Sequence, residues 1–414
     1  MEEISESEEL DKKTNLTNLE TSFKKCTIEC YPKIRLTPQL RQDLYTKFLS
    51  ILDSYDKPRK SIEKFESWLK EKNLKPKQLF SMLSAECPTE KTNTTLPQIA
   101  AILGFMYEHG IGTERNLLLA FKYYKMWYDA VILSPSHAHN HTHNFMGIFY
   151  RDGIGVDRDP GMAYELFRQG AALQHPAAQY HLSLCYRDGI GTTVDSLSHF
   201  YWCNKSAVSG YTPAQLQIAN FHRNNTSDVN HKKLAFTWYS KAKDQDTEAM
   251  FQFGMCHKIG FGTPLDLKTA YVWFLIAASG GSKEAALQLA DAYQGGQGIK
   301  RNEASALRWY NVAAKNGSLV ALYKLGQAYH QGNGVKRSRD KAFRYFVQYL
   351  KRAECEEDDV SDIGVSQYVL GNCYHYGWGV TKDLHMASKW YRKAIDNGNK
   401  SARIQLLFVF TKRK

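Results

Sequence analysis

The stretch AALQLADAYQGGQGIKRNEASALRWYNVAAKNG, residues 285–317, decides the fold. Its first apolar residues recur at intervals of three and four up to Tyr293, which is the spacing of a buried helical face. Gly296 and Gly298 then end this pattern, because glycine adopts φ > 0 at no steric cost and lets the chain turn back. A second run with helical spacing extends from Ala306 to Ala314. The stretch therefore predicts two short helices joined by a glycine turn.

The same pattern recurs eight times along the chain. Each copy has one small residue inside its first helix, here termed the reference residue, and successive reference residues are 43, 36, 36, 35, 36, 36 and 45 positions apart. They are Gly104, Gly147, Ser183, Ala219, Gly254, Ala290, Gly326 and Gly371. An aromatic residue or histidine follows three positions later in every copy, and glycines follow six and eight positions later in seven copies. A two-helix unit of this length can bury its apolar face only against its neighbours. The pattern therefore predicts an all-α fold, an α/α solenoid that winds as a right-handed superhelix.

The second helix of each copy carries a packing pattern of its own. An alanine lies sixteen positions after the reference residue in seven copies, and aromatic pairs such as Trp238 with Tyr239 follow it. Small residues let two helices approach, and rings fill the space between repeats. The motif A-x-x-x-L-G-x-x-Y-x-x-G-x-G, followed by A-x-x-W-Y and A-x-x-G, resembles the Sel-one-like repeat family, a relative of the tetratricopeptide repeat. The resemblance covers residues 96–414 and implies a protein that assembles complexes of other proteins.

The remaining sequence divides the chain into four parts. Residues 1–20 are polar and acidic and predict a disordered tail. Residues 21–95 predict an N-terminal helical segment and a linker, with helices starting at Pro38, Pro58 and Pro76; this segment is either a cap or a small binding module. Residues 96–400 hold the eight repeats, and residues 401–414 predict a capping helix with a basic tail.

Two kinds of departure from the repeat are visible. Asn225 and Ser227 stand where the fourth copy lacks its glycines, and we expect the turn to survive because asparagine tolerates the left-handed conformation. The first and seventh copies are longer, and their additional residues near 131–137 and 354–359 are expected to emerge as loops.

Composition limits the function classes. The 54 Lys and Arg against 42 Asp and Glu give a net charge of +12, which favours acidic partners. No stretch of about 18 apolar residues and no signal peptide is present, which predicts a cytoplasmic protein without membrane insertion. The eight cysteines form no CxxC pair and are expected to be reduced.

Three constellations could carry chemistry. His137, His139, His141 and His143 alternate and could ligate a metal, but alternate residues of a helix face different sides, and a polar loop is the simpler interpretation. Cys185, Cys256 and Cys373 share one position in the repeat and are interpreted as buried fillers. The Gly-x-Gly pairs follow helices and lack a P-loop lysine, which disfavours a phosphate site. The sequence thus predicts no metal, no cofactor and no enzyme activity.

A binding surface is predicted on the first helices. Residues three before, one after and four after the reference residue lie on a different side from the core-facing stripe. These residues, termed the binding row, are Arg151, Tyr180, Leu184, Arg187, Leu216, Asn220, Arg223, Phe251, Met255 and Lys258. Apolar side chains beside cations suit an acidic, partly hydrophobic peptide. The alternative is structural, since cations in the last turn of a helix complement its dipole.

The function predicted from these observations is a non-catalytic scaffold or adaptor that binds partner proteins through the repeat surface. Two alternatives stay open. One is a regulatory or activator subunit of a membrane-associated enzyme, because proteins of the resembled family include chitin-synthase activators and a degradation-ligase component. The other is a nucleic-acid binder acting through a basic face, for which steep salt dependence would be diagnostic. Solvated lysines explain the charge more simply, so nucleic acid is the less favoured partner, and the oligomeric state is left open.

Overall fold

The structure is a computed structural model that describes residues 37–52, 58–86, 97–132, 139–225, 228–353 and 363–411. All regular secondary structure in these ranges is helical, which confirms the predicted all-α class. The predicted acidic tail, the linker at 89–95, Ser227, the acidic stretch at 354–359 and the basic tail lie outside the described residues. The chain forms two compact units, the first ending at Tyr211 and the second beginning at Thr212.

The first unit contains the N-terminal segment and three repeats. Each repeat is a pair of helices that pack along their length, and the second helix of one repeat also packs on the first helix of the next. Its described helices are α1 (Pro38–Leu52), α2 (Pro58–Glu71), α3 (Pro76–Glu86), α4 (Pro97–His109), α5 (Leu117–Ile132), α6 (His139–Asp152), α7 (Pro160–Ala172), α8 (Pro176–Asp188) and α9 (Ser196–Val208).

The second unit contains five repeats and a final helix, packed in the same manner. Its described helices are α10 (Thr212–Asn224), α11 (Val229–Ala242), α12 (Thr247–Ile259), α13 (Leu267–Ser279), α14 (Lys283–Gly295), α15 (Glu303–Lys315), α16 (Leu319–Gln331), α17 (Arg339–Ala353), α18 (Ile363–Tyr376), α19 (Leu384–Asp396) and α20 (Ser401–Thr411).

The turn inside each repeat is closed by recurring contacts. In the third repeat Gly189 adopts φ 70° at the end of α8, a conformation that glycine reaches without strain. The backbone N–H of Asp195 then donates to the carbonyl of Tyr186 at 2.9 Å, and the Asp195 carboxylate accepts from the first N–H groups of α9. The same backbone bond forms at Asn116, Asp159, Asp266, Asn302, Ser338 and Asp383. In the fourth repeat, the side-chain amide of Asn225 donates to the backbone carbonyl of Phe221 at 2.8 Å.

The second glycine of each pair has a role that the sequence pattern did not reveal. A Cβ at Gly191 would lie 2.1 Å from the carbonyl oxygen of Pro160, the first residue of the preceding repeat's second helix. Both glycines have a positive φ and make the turn, and the second also lets consecutive repeats approach each other. In the first repeat a Cβ at Gly112 would lie 2.4 Å from the Pro76 carbonyl oxygen. Helix α3 thus takes the place of a preceding second helix.

The N-terminal segment shares its core with the first repeat. The ring of Phe48 in α1 lies 6.0 Å from those of Phe105 and Trp127, and Phe65 in α2 lies 5.4 Å from Phe105. These side chains are all buried. The N-terminal segment and the first repeat therefore share one hydrophobic core.

The last helix, α20, packs on the eighth repeat. Ala402 is fully buried together with Tyr391 and Ala394 of α19. The opposite side of α20 exposes Ile404, Leu407 and Phe408.

Candidate binding surface

The binding row falls on both compact units, and its two parts are described separately. In the first unit Arg151 lies in the last turn of α6, and Tyr180, Leu184 and Arg187 lie along α8. Tyr180 and Leu184 are half-buried, and the Tyr180 ring lies 5.4 Å from that of Tyr211. Nη1 of Arg151 lies 3.2 Å from Nδ1 of His181 on α8, so this cation joins neighbouring first helices.

The two arginines of the binding row in the first unit, Arg151 and Arg187, are each paired with the aspartate that follows in the sequence. Nε of Arg151 donates to Asp152 and Nε of Arg187 to Asp188, each at 2.7 Å, and a second nitrogen of each guanidinium completes the pair. These hydrogen bonds favour the charged carboxylates and lower the pKa of Asp152 and of Asp188. The adjacent carboxylates weaken the positive field that the sequence predicted at these positions.

In the second unit the cations of the row are paired with amides rather than carboxylates. Nη1 of Arg223, in the last turn of α10, donates to Oε1 of Gln252 on α12 at 2.7 Å. Lys258, in the last turn of α12, donates in the same way to Gln288 on α14. In both cases a side chain four positions after one reference residue reaches a side chain two positions before the next. This recurring contact holds adjacent first helices in register and leaves the cationic charge without a carboxylate at that contact.

Two members of the row have structural roles. Phe251 was predicted to lie on the binding side, but its ring is 9% exposed and packs 5.8 Å from Phe274 in the core. The prediction for Phe251 is therefore corrected, because a large ring three positions before the reference residue packs on the second helix of its own repeat, as Tyr323 also does on Phe346. Asn220 accepts a hydrogen bond of 2.6 Å from the hydroxyl of Tyr239. This bond fixes the side chain inside its own repeat.

The Asn220 contact belongs to a pattern that sequence reasoning missed. In several repeats a tyrosine lies twenty positions after the reference residue, and its hydroxyl donates a hydrogen bond to the polar side chain one position after the reference residue. Tyr310 donates in this way to Asp291 at 2.7 Å, and Tyr391 to Asn372 at 2.8 Å. In the fifth repeat Phe274 occupies the tyrosine position and Met255 the polar one. The matched change at two positions nineteen residues apart was the available signal. In the fourth, sixth and eighth repeats a polar residue at the first position accompanies tyrosine at the second, whereas the seventh repeat combines Gln327 with Phe346.

After these corrections the second unit retains a compact candidate site. Leu216 and Met255 are half-buried apolar side chains, and Arg223 and Lys258 lie one or two helical turns further along the same helices. The Arg223 guanidinium has five N–H donors, and one of them bonds Gln252. Such donors suit a carboxylate, and the adjacent apolar surface suits an aliphatic or aromatic side chain.

The histidine stretch contributes to helix packing where it is described. Nδ1 of His141 lies 3.1 Å from Nε2 of His175, whose other ring nitrogen accepts from Ala178 N at the start of α8. His143 is buried against the ring of Tyr128. His137 lies outside the described residues. Within the ranges that the structure describes, no three His, Cys, Asp or Glu side chains are grouped as metal ligands would be.

The three cysteines of the shared repeat position are buried, as predicted. Burial raises the pKa of Cys185, of Cys256 and of Cys373 to about 12, because the charged thiolate is poorly solvated there. Thiols with such pKa values are poor nucleophiles at neutral pH. Of the helices described, none is both long and apolar enough to span a bilayer.

Comparison with known proteins identifies the repeat. The Sel1 repeat matches residues 100–130, 141–175, 176–211, 213–246, 247–282, 283–318, 319–348 and 364–399. Among curated proteins, chitin synthase regulatory factor 3 of Schizosaccharomyces pombe is 24% identical over 144 residues, which are 34% of this chain and 16% of that protein. An uncharacterised Sel1-like repeat-containing protein of the same yeast is 26% identical over 173 residues, 41% of this chain and 22% of that protein. The matched regions are thus about a fifth or less of these relatives.

Solved structures of Sel1 repeat proteins are also similar. The Sel1 repeat protein of Oxalobacter formigenes is 29% identical, with a TM-score of 0.49, and the similarity covers 55% of this chain and 94% of that one. The protective antigen c5321 of uropathogenic Escherichia coli is 20% identical, with a TM-score of 0.46, and the similarity covers 91% of this chain and 88% of that one.

Proposed function

Because the chain belongs to the Sel1 repeat family, we propose that it is a non-catalytic scaffold that binds partner proteins through the first helices of its repeats. Repeat arrays present extended surfaces made of equivalent positions, and such surfaces suit extended peptides or domain edges. The cytoplasmic location expected from the sequence is part of this proposal.

One observation carries the proposal. The half-buried Leu216 and Met255 share their helices with Arg223 and Lys258, whose contacts in the described structure are with amides. An incoming carboxylate would gain charge-assisted hydrogen bonds, and an apolar side chain of the same peptide would cover the leucine or methionine. We therefore propose an acidic, partly hydrophobic peptide as the ligand.

Affinity capture with a matched pair of variants tests this proposal. Leu216→Glu combined with Arg223→Glu should abolish capture of partners by the full chain, because it removes both kinds of contact and repels an acidic ligand. The control, Lys233→Glu combined with Leu234→Glu, makes a closely similar change on exposed positions of α11 in the same repeat. Melting curves of both variants must stay close to that of the wild type. Undiminished capture by the first variant, or equal loss in the control, would place the site elsewhere.

A second function is supported by one specific comparison. The similarity to chitin synthase regulatory factor 3 supports a regulatory role toward an enzyme of that kind, in which the binding row would contact the enzyme or another of its subunits. The proposed scaffold function includes this case. The activity of a chitin synthase, measured with and without the chain, distinguishes a regulator of that enzyme from a scaffold for other proteins. A scaffold for other proteins should have no effect on that activity.

A further inference from the structure

The net positive charge of the chain arises in its second unit. Residues 212–414 contain 29 Lys and Arg and 17 Asp and Glu, whereas residues 1–211 contain 25 of each. Within the second unit the charge is concentrated further. Residues 300–353 hold twelve Lys and Arg but only two carboxylates, Glu303 and Asp340. A net charge of +12 spread over the whole surface therefore describes the molecule poorly.

The concentrated cations occupy equivalent positions in the last three repeats. Eleven positions after each reference residue, in the turn before the second helix, stand Arg301, Arg337 and Lys382. Eighteen positions after it, within the second helix, stand Arg308, Arg344 and Lys389. All six side chains are exposed. We term these six residues the cation band.

A contact between two second helices shows that the sixth and seventh repeats present their band residues side by side. The hydroxyl of Tyr345 on α17 donates to the Asn311 side chain on α15 at 3.1 Å, so these helices lie side by side. Arg344 and Arg308 are on the same two helices and are exposed. Seven positions along the chain separate the two rows, the first row lying in the turn and the second row within the following helix. The band is therefore two cations wide and three repeats long.

Among the residues that the structure describes, few carboxylates neutralise the band. Of its six members, Arg301 is paired with Glu303. For the other five no carboxylate of the described residues lies within ion-pair distance. Like charges at equivalent positions of stacked repeats repel one another, and this repulsion is relieved when an anionic partner approaches.

The chemistry around the band indicates the kind of partner. Protein interfaces depend on exposed aromatic or large aliphatic anchors. On the second helices that carry the band, the exposed large hydrophobic side chain among the described residues is Val347, whereas the exposed Val320, Val365 and Tyr376 lie on first helices. Binding of single-stranded nucleic acid depends on exposed rings, but Trp309 and Trp390 are half-buried beside the band. A broad array of cations without anchors suits a fluid anionic surface, whose charges rearrange to match it.

From this arrangement we propose that the cation band docks the second unit on an anionic lipid bilayer. The docking is peripheral, since it uses exposed Arg and Lys side chains and buries no helix in the hydrocarbon. It also uses a different surface from the binding row, because the band lies on the second helices and their preceding turns. A partner held by the first helices could therefore be bound while the chain is on a membrane.

Co-sedimentation of the full chain with vesicles tests the docking. Binding to phosphatidylcholine vesicles containing roughly 30% phosphatidylserine is expected, with little binding to pure phosphatidylcholine and with loss of binding at high salt. Arg308→Glu, Arg344→Glu and Lys389→Glu together should lower the partition coefficient on the order of a hundredfold. The matched control changes three exposed lysines of the first unit, Lys70, Lys77 and Lys125, to glutamate and should bind nearly as well as the wild type.

Three results would overturn the proposal. Equal binding to vesicles with and without phosphatidylserine would remove the electrostatic basis. An equal loss in the control would show that net charge matters and not the band. Tighter binding to duplex DNA or RNA than to anionic vesicles, lost in the band variant, would assign the band to nucleic acid. Circular dichroism melting of both triple variants confirms that each remains folded.

Discussion

At the scale of single residues, a ring of the second helix lies against the reference residue in the five repeats where that residue is glycine. A Cβ at Gly326 would lie 2.9 Å from the ring of Phe346, and a Cβ at Gly371 would lie 2.5 Å from that of Tyr391. The sequence predicted small residues at these positions for close packing. It could not indicate how little room exists, because that depends on the approach of two whole helices.

This close approach makes the reference glycines sensitive to one methyl group. Gly326→Ala should lower the free energy of unfolding by about 1–3 kcal/mol, because the ring of Phe346 must move in a packed core. Gly161→Ala, in the first turn of α7, is the control: its Cβ would approach the Asp159 carboxylate at 3.4 Å, an ordinary contact. It should be neutral or slightly stabilising. Chemical denaturation of both variants tests the prediction, and equal stabilities would contradict it.

The tyrosine bond inside the fourth repeat gives a second residue-scale prediction. Tyr239→Phe leaves the Asn220 side chain without this donor and should cost about 1 kcal/mol of stability. Adding Asn220→Met should restore most of that loss, because the fifth repeat already combines Phe274 with Met255. A double-mutant cycle by denaturation measures the coupling. Additive losses would show that the two positions are independent.

At the scale of helices, the sequence predicted where most elements begin but not what the N-terminal ones do. Helices start at Pro38, Pro58 and Pro76 as predicted, because proline is favourable in the first turn. The packing of α3 against Gly112 could not be predicted, since α3 lacks the glycine and aromatic pattern of a repeat. Its role follows from geometry alone.

The cap interpretation predicts that the first repeat depends on α1. Phe48 is fully buried and touches rings of both helices of that repeat. Phe48→Ala should therefore destabilise the first unit by about 3–5 kcal/mol. Hydrogen exchange should accelerate in α4 and α5 and not in α15 or α16, which belong to the other unit. Unchanged exchange in α4 and α5 would mean that the N-terminal segment is an independent module.

At the scale of the whole molecule, two surfaces divide the functional proposals. The binding row on the first helices was predicted from the repeat phase. In the structure Phe251 is buried in the core and does not belong to that surface. The cation band could also have been found in the sequence by aligning charges to the repeat. It was missed because the net charge was considered for the whole chain and not for each repeat.

Site-specific photo-crosslinking tests whether partner proteins bind the first helices of the repeats. A photoreactive phenylalanine analogue is placed at Leu216 on α10 or at the exposed Leu234 on α11 of the same repeat, in the full chain and in cells of its source. We expect discrete protein adducts from position 216, and we expect them to disappear when Arg223→Glu is added. Position 234 should give few adducts. Adducts of equal yield from both positions, or none from position 216 while partners still co-purify, would contradict these expectations.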